Sequence, residues 1–130
     1  MSHPIKALIK QADEAIAQQD FKKLMGFYAD DAILVVKPGV VARGKEQIEL
    51  AFHRILEYYR GEMRPEQKEM VILEAGDTTL VLSHTIVETP LMTNSLYPSE
   101  RKATYVFRKN QDGDWLCAID NSYGTDLLLL

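Results

Sequence analysis

Chemistry at neutral pH would fall to a small set of side chains here: three histidines, one cysteine, six tyrosines and one tryptophan. His3, His53 and His84 lie far apart and share no predicted strand or helix, so their spacing brings them to no common metal. There is no Cys/His cluster, no glycine-rich phosphate loop and no Gly-x-Ser-x-Gly elbow. Neither a metal nor a cofactor is expected. His84 alternates with Leu80, Leu82 and Ile86, so it points where its neighbours bury apolar surface. An imidazole placed there is the natural general acid/base near pH 7, or else a structural group bonded to a nearby hydroxyl. His53 falls on the polar edge of its helix and reads as solvated surface. Cys117, between Trp115 and Ile119, reads as a small core hydrophobe. Asp30 and Asp31 are adjacent and point apart, which suits local backbone hydrogen bonds better than shared acid–base work. Tyr28, Tyr59 and Tyr105 each occupy an apolar stripe or face. A buried phenol must pair its hydroxyl or line a wet cavity. Three of them converging predict a polar-spotted pocket, with Tyr105 the donor to a developing oxyanion.

The elements that must position these groups follow from periodicity. Ile5, Leu8, Ile9, Ala12 and Ile16 form one stripe of an amphipathic helix. Asp20 caps a second, short helix over 21–28, and a strand follows over 32–36, stopped by Pro38-Gly39. A third helix over 45–59 carries Ile48, Ala51, Phe52, Ile55, Leu56 and Tyr59 on one face. The second half reads as antiparallel strands: 70–73 and 80–87 around Gly76-Asp77, then 102–108 and 115–121 around Asn110 to Gly113. The intervening 88–100 connection is long for so small a domain. In the last hairpin Asn110 is expected opposite Asp114. Regular alternation then puts Ala103, Tyr105 and Phe107 on one face with Trp115, Cys117, Ile119 and Asn121. That face reads as a pocket wall. The expected pocket has Tyr28, Phe52 and Tyr59 on its helix side and His84, Tyr105, Trp115 and Asn121 on its sheet side. The other face, with Thr104, Val106, Arg108, Leu116, Ala118 and Asp120, is mixed, so a partner subunit is expected to cover it. The run Leu127–Leu130 is expected to be buried on its own domain or across an interface.

Length and charge bound the rest. A chain of 130 residues with 46% apolar and 26% charged side chains reads as one domain, 1–130, with a core that needs no disulfide. The net charge of −4 counts against a nucleic-acid binder, which needs clustered cations. No apolar run approaches the ~18 residues of a membrane span, and the first residues lack a secretory core, so a cytoplasmic protein is expected.

Several strings, in this order and spacing, resemble the nuclear transport factor 2-like superfamily. They are Asp20-Phe21-Lys22-Lys23-Leu24 with Phe27-Tyr28-Ala29-Asp30-Asp31-Ala32, then Arg43-Gly44-Lys45-Glu46-Gln47-Ile48. The last is Asp112-Gly113-Asp114-Trp115 leading to Ile119-Asp120-Asn121-Ser122. Within the superfamily the chain is similar to SnoaL-like polyketide cyclases and ketosteroid isomerases. The resemblance implies an α+β cone, three N-terminal helices on a strongly curved, mostly antiparallel mixed sheet. It also implies a pocket between the layers and a homodimer formed through the sheet. Such scaffolds host isomerases, cyclases, dehydratases, adaptors and assembly hubs, so the fold leaves the function open. Carried over position by position, the isomerase base falls on Val36, the oxyanion tyrosine on Ala12 and the protonated donor on Tyr105. Valine and alanine cannot serve, so a steroid isomerase is not expected. The expected function is a small-molecule pocket protein, a cofactor-independent isomerase, cyclase or lyase if an enzyme. The alternative is an oligomerisation module resembling the calmodulin-dependent kinase association domain, although histidines ending that family's last strand are replaced here by Ile119 and Asn121.

Overall fold

The computed structural model describes residues 3–91 and 98–129. Its elements are α1 (Pro4–Gln18), α2 (Phe21–Met25), β1 (Tyr28–Lys37), β2 (Val40–Arg43), α3 (Gly44–Tyr58), β3 (Arg64–Ala75), β4 (Thr78–Glu88), β5 (Glu100–Lys109), β6 (Trp115–Asn121) and a 3-10 helix (Gly124–Leu129). The six strands make one mixed sheet in the order β2-β1-β6-β5-β4-β3. Only β1 and β6 run parallel; the other neighbours are antiparallel. Helices α1 and α3 cover one face, and the α+β cone is thereby established.

Local chemistry explains the boundaries. His3 accepts the Ile5 N–H on Nδ1 at 3.2 Å and so caps α1, while Asp20 accepts the Lys23 N–H at 3.1 Å and caps α2. α1 buries Ile5, Ile9, Ala12 and Ile16, and α3 buries Ile48, Ala51, Phe52 and Leu56. They meet Val81, Phe107 and Cys117 from the sheet in one core.

The structure departs from the sequence reading at the strands. α2 stops at Met25, and Tyr28 opens β1 instead, because it pairs with Cys117 of β6. Asp30 and Asp31 are therefore exposed strand residues, ion-paired with Lys45 and Arg108. The four residues of β2 fold back on β1 across Pro38-Gly39, a pairing too short to show as periodicity. β3 begins at Arg64 rather than Met70; Pro65 is accommodated because β3 is a sheet edge. Residues 92–97 of the long connection lie outside the described residues. The leucine run is not buried on its own domain throughout: Leu127 is half-buried, but Leu128 is 83% exposed.

Two β-bulges decide which side chains face inward. In the β5–β6 pair, Phe107 opposes Cys117 but Tyr105 opposes Asp120, so β6 spends one extra residue, Ala118. In the β3–β4 pair, Gln67 opposes Thr85 but Met70 opposes Ser83, again one residue too many on β3. The first bulge turns Asp120 inward and Ile119 and Asn121 outward, reversing the regular alternation. The second lets Gln67 share the inner face with Met70 and Ile72.

Candidate functional site

Between the helices and the inner face of the sheet lies a cavity of about 720 Å³, counted with the open space at its mouth. Its walls are mostly apolar, from Ile9, Ile16, Leu34, Phe52 and Val87 among others, with a few polar groups set among them. α1 contributes Asp13, one helical turn beyond Ile9 and therefore on the buried stripe. Gln67 comes from β3, Thr85 from β4, Arg101 and Tyr105 from β5, and Asp120 from β6.

These groups form two hydrogen-bonded sets. In the first, Gln67 donates from Nε2 to Asp13 Oδ2 at 3.0 Å. Its Oε1 accepts from Thr85 Oγ1 at 2.7 Å and from the Ser83 hydroxyl. Two hydroxyl donors on one amide oxygen fix the orientation of the amide, and so fix the N–H that Asp13 receives. In the second, Tyr28 donates its hydroxyl to Asp120 Oδ2 at 2.6 Å in a fully enclosed contact. Arg101 stands at one end of the cavity, hydrogen-bonded to Pro98, Ser122 and Tyr59 and lying 4.8 Å from the Tyr123 ring centroid.

Burial sets the proton affinities. Desolvation pushes the Asp13 carboxyl up to about 7 against the Gln67 hydrogen bond, and the charges of Asp120 and Glu14 add to the rise. Desolvation also pushes Asp120 up to about 6, opposed by the Tyr28 hydroxyl and the charge of Arg101. The phenols of Tyr28 and Tyr105 are driven well above their ordinary value, first by burial and then by the charge of Asp120, so both are donors. Burial likewise raises the Cys117 thiol, which leaves it unreactive. Both carboxyls are thus pushed towards neutrality, Asp13 further than Asp120. One cavity holds a base and an acid together.

Of the residues expected in the pocket, Tyr28, Phe52, Tyr59 and Tyr105 line it. His84, Trp115 and Asn121 do not. His84 lies on the outer face of β4, half-exposed, with Nε2 2.8 Å from Glu100 Oε1. The neighbours it shares that face with, Leu80 and Leu82, are exposed rather than buried, so their apolar pattern had marked the uncovered side of the sheet. Trp115 is buried beside His3 and Lys109, beyond the cavity wall. Asn121 is turned away by the β6 bulge, and its Oδ1 caps the following turn by accepting the N–H groups of Tyr123 and Gly124. The expectation missed Asp13, Gln67, Arg101 and Asp120. Asp13 had a readable signal, a carboxylate between Ile9 and Ile16 on the apolar stripe. Arg101 had a weaker one, four residues before Tyr105 on the same strand face. The three positions carried over by resemblance, Ala12, Val36 and Tyr105, all line the cavity. Among the described residues, no three His, Cys, Asp or Glu side chains are grouped as a metal would need.

An α+β cone enclosing an apolar cavity with a few inward acids defines a class of small-molecule pocket scaffolds. The chain belongs to the SnoaL-like domain family, whose model matches residues 5–118, and with it to the nuclear transport factor 2-like superfamily. No curated protein matches it. Solved structures share the fold at low identity. Aln2 from a Streptomyces species is 14% identical with a TM-score of 0.79, over 96% of this chain and 90% of that one. An NTF2-like protein of unknown function from Pseudomonas putida is 20% identical with a TM-score of 0.73, over 90% and 81%. A protein from Catenulispora acidiphila, solved in complex with S-DNPA, is 17% identical with a TM-score of 0.71, over 89% and 87%.

Proposed function

We propose that this chain binds a small, mostly apolar molecule in the cone and transforms it by cofactor-independent general acid–base chemistry, as an isomerase, cyclase or lyase. The observation that carries this reading is the pair Asp13 and Asp120. Asp120 is buried in the cavity wall, and Asp13 is half-buried between the cavity and an open groove beside Lys10. Each accepts from one described side-chain donor, and each has an affinity for protons raised towards neutrality. Asp120, the more readily ionised, takes a proton from carbon beside a carbonyl; Tyr105 or protonated Asp13 donates to the oxygen where charge develops. These residues take the role that the sequence reading gave to His84. The Catenulispora acidiphila protein of the same fold was solved in complex with a small molecule, S-DNPA, which supports small-molecule binding by this fold, though not the same ligand. Val36 and Ala12, without functional groups, argue against steroid-type isomerisation.

Native against denaturing mass spectrometry on gently purified protein tests the reading. A retained small molecule, seen as mass in excess of the chain, is the expected result. An empty cavity that also accepts no member of a carbonyl-compound screen would overturn it.

A second reading rests on the outer sheet face, where Val71, Leu73, Leu80 and Leu82 are exposed side by side and Ile119 is exposed on β6, across Val106 of β5. That face suits self-association through the sheet, and it is compatible with a working pocket.

A further inference from the structure

The acids account for only part of the cavity's polarity. Arg101 is 8% exposed and lines the same cavity, yet no described carboxylate reaches it as an ion pair. Asp120 acts on it only through space. An enclosed guanidinium without a contacting anion is costly, because desolvation is not repaid by a partner at contact distance.

The side chain is nevertheless held firmly. Nε donates to the Pro98 carbonyl at 2.9 Å, Nη1 to Ser122 Oγ at 2.8 Å, and Nη2 to the Tyr59 hydroxyl at 3.4 Å. Tyr123 lies against it, 4.8 Å from ring centroid to the guanidinium carbon. Three acceptors leave two of the five N–H groups, one on each terminal nitrogen, without a described partner. Ser122 spends its oxygen on Arg101 and keeps its own O–H to donate. Such a preorganised, planar donor set is suited to a carboxylate, which receives two parallel N–H bonds from one guanidinium.

Charge and position narrow the choice. A dianion such as a phosphate ester would enter the field of Asp120 and Asp13; a single negative charge suffers less from them. Arg101 and Tyr105 share the inner face of β5, four residues apart, and Tyr105 is paired across the sheet with Asp120. At a strand rise of ~3.3 Å per residue the backbone of Arg101 lies about 13 Å along β5 from that of Tyr105, while its guanidinium reaches across to Ser122, two residues beyond Asp120. We propose that Arg101 and Ser122 form an anchoring subsite for the carboxylate of an apolar monocarboxylic ligand, whose other end lies towards Asp120 and Asp13. The inference rests on the pocket reading above and names its substrate class.

Calorimetry with benzoate and its neutral isostere benzamide tests it on the full chain. Benzoate is expected to bind about tenfold more tightly than benzamide. In Arg101→Gln that preference collapses to within about twofold. Because Arg101→Gln could fail to fold, the unaltered protein supplies a second readout: benzoate shifts the Arg101 Nε–H resonance and benzamide does not. Benzamide binding as well as benzoate, or an unmoved Arg101 resonance, overturns the carboxylate subsite while leaving the pocket intact. Binding of neither probe at about 10 mM overturns the pocket reading as well.

Discussion

Asp13 illustrates how one half-buried carboxyl couples stability to function. Its carboxyl rises from 3.8 to about 7, chiefly by desolvation. At pH below about 4 both the folded and the unfolded chain hold this proton, and the residue contributes no pH dependence. As pH rises, the unfolded chain ionises first while the folded chain retains the proton, so folding stability falls until about pH 7 and then levels. Asp13→Asn cannot ionise and still offers Gln67 an acceptor. It is expected to melt higher than the unaltered protein at pH 8, by on the order of 2–4 kcal/mol of stability. The difference should vanish near pH 4, and thermal melts across that range check it; a pH-independent difference would contradict the burial argument. The same substitution removes the proposed acid, so stability and activity are traded at this position. Asp13 was legible in the sequence, since a carboxylate at Ile9 plus four breaks the apolar stripe. Asp120 was not, because nothing in its neighbours announces the bulge that turns it inward.

At the level of elements, what could be read depended on whether the cause was local. α1 and α3 are set by stripes of four or more apolar residues, and their buried faces matched the periodicity closely, whereas α2 is set by its Asp20 cap and ends before the expected Tyr28. The hairpins around Gly76 and Gly113 are likewise local. By contrast, β2 and the bulges in β3 and β6 arise from pairing with a partner strand, and alternation along one strand does not contain that information. This is why Asn121 lies outside the cavity; His84 lies outside because the apolar alternation of β4 marked its uncovered face, and Trp115 because it sits beyond the cavity wall. The final turn belongs to the same class. Gly124 has φ +56°, and a Cβ there would meet the Lys102 carbonyl oxygen of β5 at 2.1 Å. Since that oxygen is backbone, the clash cannot be relieved by a side-chain rotation. Gly124→Ala is expected to push the 3-10 helix off β5, at a cost of about 2 kcal/mol or more in urea denaturation. Tyr123, the preceding residue, would leave its place over Arg101. A variant as stable as the original would mean that this turn does not hold the cavity's arginine end.

Taken whole, the molecule is unevenly covered. Helices shield the inner face of the sheet, whereas Val71 and Leu73 of β3 are 52% and 53% exposed on the outer face, beside Leu80 and Leu82 of β4. Ile119 on β6 extends the apolar surface across the sheet. Charges interrupt it at the His84–Glu100 pair and at the Arg108–Asp31 pair. A second copy of the chain would present the same mixture in reverse order about a two-fold axis, apolar strip against apolar strip. Placing one carboxylate in the middle of such a strip puts two of them close together in the dimer without disturbing the core, because Leu82 points away from the cavity. Self-association through this face, the second reading above, is tested by Leu82→Glu, which is expected to be a monomer by native mass spectrometry in dilute solution where the unaltered chain is a dimer. Benzoate affinity should remain within about twofold, since neither Arg101 nor the acids are touched. A dimer that survives Leu82→Glu would exclude the centre of the sheet as the interface. Attention would then pass to the exposed Leu128 at the end of the 3-10 helix. Loss of both the dimer and benzoate binding would mean that association shapes the cavity, and that sheet face and pocket form one functional unit.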